Sequence, residues 1–356
     1  MLRVKVISKI KESKVYNAYR AYRNRYKAAR YKKRMSKMGD EEFFVTRHRH
    51  VFGYVPDFKN PKTFNEKLIA RMLYDRKELY TFLADKLKAR IYISYLLGGD
   101  NFNVATSVFD KKCLNSAFEK SMAIMKNPID SIYDELYKTN QCQYLPKLYG
   151  IYSDVDKIDF QKLPNSFVLK VNHDSGGVIL VKNKNEFLAN KHGFEQAMQK
   201  LILHLKINYY NEHREWQYKN IEPRIFAEEY LMENERDTKD VDNYRMFVFA
   251  SGKIYVQCDS ADYSNDHKRW FYDEHWSFQA FSYNFQVLED GVSKPKNLPL
   301  MSAIARQLVF GVGGFLRVDL DNVLGRIYVG ELTFTPYGGI GKWSDGWDEK
   351  LGDLWQ

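Results

Sequence analysis

The sequence has few of the residues and segments that define several classes of protein. Its 356 residues include only three cysteines, far apart at Cys113, Cys142 and Cys258, which excludes a disulfide scaffold and a CxxC metal site. No run approaches about 18 consecutive apolar residues, so no ordinary transmembrane helix is predicted. The N-terminus has no apolar core followed by a cleavage site, so no secretory signal is predicted. With only 9 prolines and 44% hydrophobic residues, we expect a folded, reduced, cytoplasmic protein.

Acidic residues are scarce in one part of the chain only. The whole sequence has 55 Lys and Arg against 45 Asp and Glu, which gives a net charge of +10. Residues 1–39 hold 14 of the basic residues and a single acid, Glu12, so this segment carries +13 and the remainder carries −3. The basic character therefore belongs to the N-terminal segment, and the rest of the chain shows no general preference for an acidic partner.

The basic segment contains the sequence KVYNAYRAYRNRYKAARYKKR (residues 14–34), which has no Pro or Gly and predicts a helix. Its apolar and aromatic residues recur every three or four positions and form one narrow stripe. Three interpretations stay open: packing on the protein's own body, contact with an anionic membrane surface, and contact with a partner helix. Nucleic-acid binding is disfavoured, because the sequence contains no recognisable nucleic-acid module. The stripe consists of Val15, Tyr19, Tyr22, Tyr26 and Ala29.

The remaining sequence changes from helical to β-rich character. Residues 62–97 show a helical pattern, with Thr63 as a candidate cap and Glu66 three positions later. Residues 98–143 predict loops with one or two helices. Beyond Pro146, short β-rich runs follow one another, interrupted by a helical pattern at about 186–210. This order predicts an α+β or α/β catalytic body preceded by a helical region.

A first candidate site is the sequence FVLKVNHDSGGVILV (residues 167–181), which predicts a hairpin with a glycine-containing tip. Gly176 and Gly177 can expose consecutive backbone N–H groups, and Lys170 lies near the end of the first strand. Backbone donors with one lysine suit a phosphate group. The pattern is neither a P-loop nor a dinucleotide fingerprint, and a plain hairpin with a surface lysine fits it equally well.

A second candidate site lies in GFLRVDLDNVLGRIYVGELTFTPYGG (residues 314–339). A hairpin centred on Gly325 pairs Asp319 with Glu331, and Arg317 with Thr333, with all four side chains on one face. Two carboxylates about 5 Å apart repel each other unless a cation or a shared proton lies between them. A divalent metal with oxygen ligands, flanked by an arginine for phosphate, satisfies this arrangement. The alternative is that Arg317 forms salt bridges with both acids.

A third feature is PRIFAEEYL (residues 223–231), an apolar run that ends in two adjacent acids. An unpaired buried carboxylate is costly, so acids at this place are unusual for a buried strand. Glu228 and Glu229 could accept hydrogen bonds from a nucleoside. A surface strand end is the alternative.

These features occur in a fixed order that resembles the ATP-grasp superfamily, and most closely its TupA-like branch of teichuronopeptide biosynthesis. The resemblance covers about residues 55–350. The stretches that carry it are PKTFNEKL (61–68), ADKLKAR (84–90), LPKLYGIYSDVDKIDFQKLPNSFVLKVNHDSGG (145–177), REWQYKNIEPRIFAEEYL (214–231), NYRMFVFASGK (243–253), HKRWFYDEHW (267–276), RVDL (317–320) and GELTFTPYGG (330–339).

The resemblance implies an α+β ATP-grasp fold, in which two lobes hold ATP and Mg²⁺ between them. It implies a basic helical extension (1–45), a mostly helical region (46–145), a small lobe with the phosphate hairpin (146–231) and a large lobe with the magnesium site (232–356). The residues that it implies for ATP binding are Lys86, Lys170, Ser175, Gly176, Gly177, Glu228, Glu229 and Leu231.

The resemblance also implies roles at the reacting centre. Arg317 and Arg245 would act on the transferred phosphoryl group, and Asp319 and Glu331 would hold magnesium. The family's usual asparagine at the third metal position is replaced by Thr333. On the acceptor side, aromatic residues suit sugars and arginine suits carboxylates, which selects Trp216, Tyr218, Arg269 and Trp270.

The activity implied is an ATP-dependent ligation that joins a carboxylate to an amine through an acyl phosphate. The implied substrates are an amino acid or other amine and a uronic acid of a surface polysaccharide or its precursor. The basic helix would then dock on the inner face of the plasma membrane or on a glycan-synthesis protein. Two alternatives remain: an ATP-dependent sugar or glycan kinase, and a non-catalytic ATP-binding recruiter of a glycan synthase.

Overall fold

The structure is a computed structural model that describes residues 14–98, 111–231, 243–259, 268–285, 291–344 and 346–355. The chain forms two compact units, Met1–Pro56 and Asp57–Gln356. Among the described residues, no helix has both the length and the apolar character needed to cross a membrane. The predicted boundary between residues 231 and 232 lies beside residues 232–242, which are outside the described part.

The first unit contains the helices Lys14–Met35 and Asp40–Phe52, so the predicted basic helix is confirmed. Tyr22 is 68% exposed and Tyr26 is 59% exposed, and Ala29 is also exposed. The side chains of Val15 and Tyr19 lie outside the described part. The described portion of the aromatic stripe is therefore not buried within the first unit, and the interpretations of the stripe stay predictions.

The second unit begins with three helices where the sequence predicted one helical region. They are Phe64–Tyr74, Glu78–Ala84 and Lys86–Leu97. The first is opened by the predicted capping box, in which Thr63 accepts from the Glu66 N–H and the Glu66 side chain accepts from the Thr63 N–H. The third is capped by Asp85, whose carboxylate accepts from the Leu87 N–H at 3.0 Å.

For residues 98–143 the sequence predicts loops with one or two helices. Residues 99–110 lie outside the described part, and residues 111–143 confirm the prediction. They contain the helices Lys111–Met125 and Tyr133–Lys138. Short 3₁₀ turns lie at Ile129–Ser131 and Thr139–Gln141. In the longer helix, Leu114, Ala117, Ser121 and Met125 are buried, a spacing that packs one face into the main core.

The first sheet is antiparallel. Its strands are β1 (Leu148–Tyr152), β2 (Phe167–Val171), β3 (Val178–Val181) and β4 (Ile225–Glu229). They lie in the order β1-β4-β2-β3. The predicted hairpin forms β2 and β3, with Lys170 opposite Val178. Between β3 and β4 lie the helices Lys184–Ala189, Lys191–Leu205 and Tyr209–His213, where the sequence predicts helix.

The second sheet is also antiparallel. Its strands are β5 (Asn243–Phe249), β6 (Ile254–Asp259), β7 (Arg269–Asp273), β8 (Phe315–Val323) and β9 (Arg326–Thr333). They lie in the order β7-β6-β5-β8-β9. The strand β7 is not among the predicted β-rich runs, since its sequence RWFYD shows no alternation of apolar and polar residues. The helices Leu298–Leu308 and Trp347–Asp353 are not predicted by the sequence either.

The alternation of side chains separates the core face of the second sheet from the face that carries the candidate site. Met246, Val248 and Val318 are fully buried in the main core, together with residues of the helices Lys86–Leu97 and Leu298–Leu308. Arg245 and Asp319 occupy the alternating positions and point to the opposite face. The helices Lys86–Leu97 and Leu298–Leu308 therefore cover one face of the sheet. The other face carries the charged groups beside a second core cluster that includes Phe247, Phe249 and Phe315. The predicted α+β class is confirmed.

Candidate active site

The hairpin of β8 and β9 has the predicted pairing at the site. Arg317 lies opposite Thr333, and Asp319 lies opposite Glu331. The turn is shorter than the prediction assumed, because Leu324 and Gly325, both with positive φ, form a two-residue connection. A bulge at Gly330, between Glu331 and the turn, shifts the register by one residue and restores the predicted pairing.

The four side chains of this pairing form a connected polar chain. The Nε and Nη2 atoms of Arg317 donate to the two carboxylate oxygens of Asp319, each at 2.7 Å. Nη2 also donates to the Thr333 hydroxyl at 3.0 Å, and that hydroxyl donates to Glu331 Oε1 at 2.9 Å. The predicted salt bridge between Arg317 and Asp319 is thus present. Arg317 is connected to Glu331 through the hydroxyl of Thr333, which accepts from Arg317 and donates to Glu331.

Lys170 is held by a buried carboxylate from the neighbouring strand. Its Nζ lies 2.5 Å from Glu228 Oε1, and Arg90 Nη1 lies 3.2 Å from Glu228 Oε2. Burial lowers the pKa of Lys170, but the charge of Glu228 outweighs it and the pKa is raised. Glu228 therefore keeps Lys170 protonated and positioned, and the structure links this acid to the phosphate lysine. A contact of Glu228 with adenine stays a prediction.

The loop after Lys170 is tied to the helix Lys86–Leu97. The Lys86 N–H donates to the carbonyl of Asn172 at 3.0 Å, and Lys86 Nζ donates to the carbonyl of Asp174 at 2.6 Å. At the tip, Ser175 and Gly176 are exposed. Gly177 is buried, and a Cβ there would lie 2.4 Å from a methyl group of Val171, so only glycine fits. The predicted second lysine is thus brought to the predicted phosphate loop.

Charges from the two sheets and from the helix Lys86–Leu97 act on one centre. Burial raises the pKa of Glu331, but the positive charges of Lys86 and Arg317 outweigh it and hold that pKa below its usual value. Lys170 contributes in the same direction. Burial raises the pKa of Asp319 in spite of its arginine partner. Two lysines and an arginine therefore surround one of the two paired carboxylates, as a centre for a charged phosphoryl group requires.

A second cluster of arginines continues this face across the sheet. Arg245 lies opposite Asp319, with Nε 3.6 Å from Asp319 Oδ2, and its Nη1 contacts Asp259. Arg269 Nε binds the other oxygen of Asp259 at 2.5 Å. Arg269 is buried and also donates to the carbonyl of Tyr283 at 2.9 Å. Asp259 therefore joins the two arginines, and Arg245 lies nearer to the reacting centre.

The acceptor-side residues predicted from the sequence do not all come together. Burial raises the pKa of Tyr218 well above its usual value, and the nearby charge of Glu331 adds to this, so Tyr218 borders the centre. Trp216 lines a separate cavity instead. Trp270 is buried in the main core on the face opposite Arg269, so its position gives no support to substrate contact.

The remaining residues that are predicted to bind the nucleotide lie at the end of β4. Glu229 Oε2 accepts from the Lys147 N–H at 3.1 Å, which holds β4 against β1. Leu231 is half-buried just beyond the strand. Their contacts with a nucleoside stay predictions.

Sequence reasoning missed three charged members of the site. Asp321 lies two residues after Asp319 on the same face, so the strand period could have identified it. Arg90 lies four residues after Lys86, so the helical period could have placed both side chains on one face. Asp259 pairs with Arg269 only through the register of β6 and β7, and no signal in the sequence gives that register.

The residues present fit a magnesium ion. Asp319 and Glu331 supply two adjacent carboxylates, and the described residues contain no group of three or more His, Cys, Asp or Glu side chains arranged to hold a metal. Magnesium is commonly held by one or two carboxylates together with water and substrate phosphates, so two acids suffice. Arg245 Nε is buried without a hydrogen-bond partner and faces Asp319, which leaves a donor for a ligand.

One buried acid next to the site has a strongly perturbed pKa. Asp85 accepts hydrogen bonds from the Leu87 N–H and from the Asn172 side chain at 2.9 Å. Burial nevertheless raises its pKa to about 6. Because the folded pKa lies above the ordinary value of 3.8, folding favours the protonated acid. The stability from this group is present below about pH 4 and is lost as the pH rises through about 6.

We expect Asp85→Asn to remove this pH dependence, because the amide oxygen keeps the hydrogen bonds and the side chain stays neutral. From pH 4 to pH 7, the free energy of unfolding of the variant should rise relative to the wild type by on the order of 3 kcal/mol. Urea unfolding at both pH values measures this difference. A constant difference between variant and wild type would show that folding leaves the pKa of Asp85 unchanged.

The fold and the geometry can be compared with known proteins. Among solved structures, a D-alanine–D-alanine ligase from Bacillus anthracis matches with 16% identity and a TM-score of 0.28 over 54% of this chain and 51% of that chain. The corresponding ligase from Helicobacter pylori matches with 13% identity and a TM-score of 0.31 over 62% and 58%. The chain thus spans about half the length of the first of these ligases.

A third structure, the Bacillus anthracis ligase complexed with ATP, matches with 13% identity and a TM-score of 0.30 over 70% of this chain and 74% of that chain. No curated protein matches the sequence. The family model described as TupA-like ATPgrasp matches residues 118–356, which is more than half of the chain and includes both sheets. The chain therefore belongs to the TupA-like ATP-grasp family.

Proposed function

We propose that the protein is an ATP-dependent carboxylate–amine ligase that attaches an amino acid or other amine to a uronic acid of a surface polysaccharide or its precursor. The observation that supports this most is the convergence of Lys86, Lys170 and Arg317 on the paired carboxylates of β8 and β9. This centre suits a reaction in which negative charge is transferred with a phosphoryl group. Family membership supports the use of ATP.

The proposed reaction has two steps. A carboxylate oxygen of the uronic acid attacks the γ-phosphorus of ATP, the bond to the β–γ bridging oxygen breaks, and ADP leaves. The amine nitrogen then attacks the carbonyl carbon of the acyl phosphate, loses a proton, and releases inorganic phosphate. Neither step needs a nucleophilic side chain, so the protein acts by positioning and by neutralising charge.

The chain's own residues divide these tasks by their positions. Lys170, fixed by Glu228, and Lys86, fixed at the loop of residues 172–177, bind phosphate oxygens. Arg317 and Arg245 stabilise the transferred group from the second sheet. Asp319 and Glu331, with Thr333 beside them, would hold magnesium, which supplies charge neutralisation on the phosphates when it is bound.

Product analysis separates this function from the two alternatives. A ligase forms an amide and inorganic phosphate, whereas a kinase on the same centre leaves a phosphorylated sugar as its stable product. A recruiter without activity releases no ADP in the presence of magnesium. Mass spectrometry of the product formed from ATP, a uronic acid and an amine therefore decides among the three.

The N-terminal helix supports a second proposal, that the protein binds an anionic membrane surface. The segment of residues 1–39 carries 14 basic residues and one acid, and Tyr22 and Tyr26 are exposed. Each basic residue near an anionic surface contributes about 1 kcal/mol of attraction, and exposed aromatic side chains suit the interface. This docking would hold the enzyme at the inner face of the plasma membrane.

We expect deletion of residues 1–39 to leave ATP turnover in solution nearly unchanged, since the candidate centre lies wholly within residues 86–333. Binding to vesicles that contain phosphatidylglycerol should fall to the level seen with neutral phosphatidylcholine. Vesicle co-sedimentation and an ADP-release assay measure the two effects. Loss of all turnover, or equal binding to both vesicles by the full chain, would contradict the docking proposal.

A further inference from the structure

The tip of the phosphate hairpin (residues 172–177) lies against the last turn of the helix Lys191–Leu205. A Cβ atom on Gly177 would lie 3.0 Å from the Cβ atom of His204, and one on Gly176 would lie 3.5 Å from its Cε1 atom. His204 is therefore directly beside the two glycines whose backbone N–H groups are predicted to bind phosphate. No step of the ligase reaction uses this histidine itself.

His204 binds the side chain of Asp174, the residue before Ser175 at the tip. Its Nδ1 donates to Asp174 Oδ2, because a carboxylate only accepts hydrogen bonds. The Asp174 side chain is 1% exposed, and its other oxygen, Oδ1, is buried without a hydrogen-bond partner among the described residues. A buried carboxylate with one unpaired oxygen costs stability, so packing alone does not explain this acid.

Asp174 connects His204 with the reacting centre. Its backbone carbonyl accepts from Lys86 Nζ at 2.6 Å. Lys86 is among the charges that outweigh the effect of burial on the pKa of Glu331 and hold it low. Asp174 is thus held on its side chain by His204 and on its carbonyl by Lys86. A displacement of Asp174 would disturb both the phosphate loop and the position of the Lys86 ammonium group.

The neighbouring histidine fixes the same loop at a second point. His173 is 2% exposed, and its Nε2 donates at 3.0 Å to the carbonyl of Ile207, just beyond the helix Lys191–Leu205. Burial lowers the pKa of His173, which favours the neutral ring. His173 is therefore a tether without charge, and His204 is the side chain that pairs with Asp174.

We propose that His204 is a positioning residue for ATP: through Asp174, it holds the loop of residues 172–177 and Lys86 in the arrangement that binds phosphate oxygens. Contacts made within the protein reduce the conformational freedom that is lost when phosphate binds, which increases the affinity. His204 acts through Asp174 and does not itself contact ATP. The inference rests on the proposed function only for the use of ATP at this loop, and it needs neither the acceptor nor the amine.

The test measures the affinity of the full chain for ATP with magnesium and for adenosine, by displacement of a fluorescent nucleotide. His204→Leu removes the donor and should weaken ATP binding about tenfold, while the affinity for adenosine stays within about twofold. Adenosine has no phosphate, so its binding does not depend on the loop. His204→Asn should restore most of the ATP affinity, because its amide nitrogen lies near the position of Nδ1. His192→Leu, at an exposed histidine of the same helix, should bind both ligands as the wild type does.

Asp174→Ala removes the same contact from the side of the loop. It should produce the same selective loss of ATP affinity, and adding His204→Leu to it should cause no further loss, because the two residues act as a pair. This second variant tests the proposal even where His204→Leu fails to fold.

The proposal is wrong if His204→Leu binds ATP as tightly as the wild type. It is also wrong if ATP and adenosine lose affinity equally, which would indicate a general structural role, or if the losses in the double variant add. Binding is measured without acceptor or amine, so its outcome is separate from amide formation. A chain that shows the selective loss but forms no amide would contradict the ligase function and leave the role of His204 standing.

Discussion

Replacing Glu331 by glutamine is expected to lower magnesium-dependent ADP release at least about a thousandfold. Glu331 is half-buried, its pKa is held low by Lys86 and Arg317, and it faces Asp319 across the hairpin. Glutamine keeps the size and the bond to the Thr333 hydroxyl but removes the charge that a metal ion needs. The hairpin itself should form normally, because its register depends on the turn and on the bulge at Gly330.

The measurement compares ADP release and thermal unfolding of Glu331→Gln with those of the wild type. Glu195→Gln, at an exposed position of the helix Lys191–Leu205, is the matched control and should retain full activity. Full activity of Glu331→Gln with an unchanged melting temperature would contradict the assignment of a metal to this position. A large fall in melting temperature would instead assign a structural role to the carboxylate.

Replacing Lys170 by alanine is expected to weaken ATP binding at least about tenfold. Lys170 is the only charged residue of β2, and Glu228 and Arg90 fix the direction of its ammonium group. Its removal takes one positive charge from the centre and leaves Glu228 with Arg90. The loss should appear in the affinity for ATP and also for ADP, because the side chain acts on phosphates before any transfer.

Nucleotide binding measured by calorimetry or by displacement of a fluorescent analogue tests this prediction. Lys182→Ala is the matched control, since Lys182 is an exposed lysine just beyond β3 of the same hairpin. If Lys170→Ala binds ATP as tightly as the wild type, the hairpin is a plain hairpin and the phosphate site lies elsewhere.

The sequence predicted the parts of the site that depend on local periods. The face shared by Arg317 and Asp319 follows from strand alternation, and the hairpin from the turn residues around Gly325. The pairing with Glu331 was also correct, although the assumed turn was one residue too long. The bulge at Gly330 compensates for that residue, and no local pattern in the sequence places a bulge there.

The sequence could not predict contacts between distant segments. Glu228 was interpreted as a nucleoside contact, because nothing in its surroundings showed that β4 lies beside β2 and brings it to Lys170. Trp270 was selected for its residue type, but the register of β7 turns it into the main core. Pairing between strands that are far apart in the chain is decided by packing of the whole sheet.

The spacing of the residues in the aromatic stripe also does not predict whether their side chains are exposed. A spacing of three and four residues describes a packed face and a docking face equally well. Tyr22 and Tyr26 are exposed within the first unit, and the docking face stays a proposal.

The central claim is that the converging charges of the two sheets form the centre of an ATP-dependent ligase. The most direct test incubates the full chain with ATP, magnesium, a uronic acid acceptor and an amine, and follows ADP release and the mass of the product. We expect that ADP release requires both substrates, and that the product has the mass of acceptor plus amine less one water. ADP release without any amine, accompanied by a stable phosphorylated sugar, would contradict it.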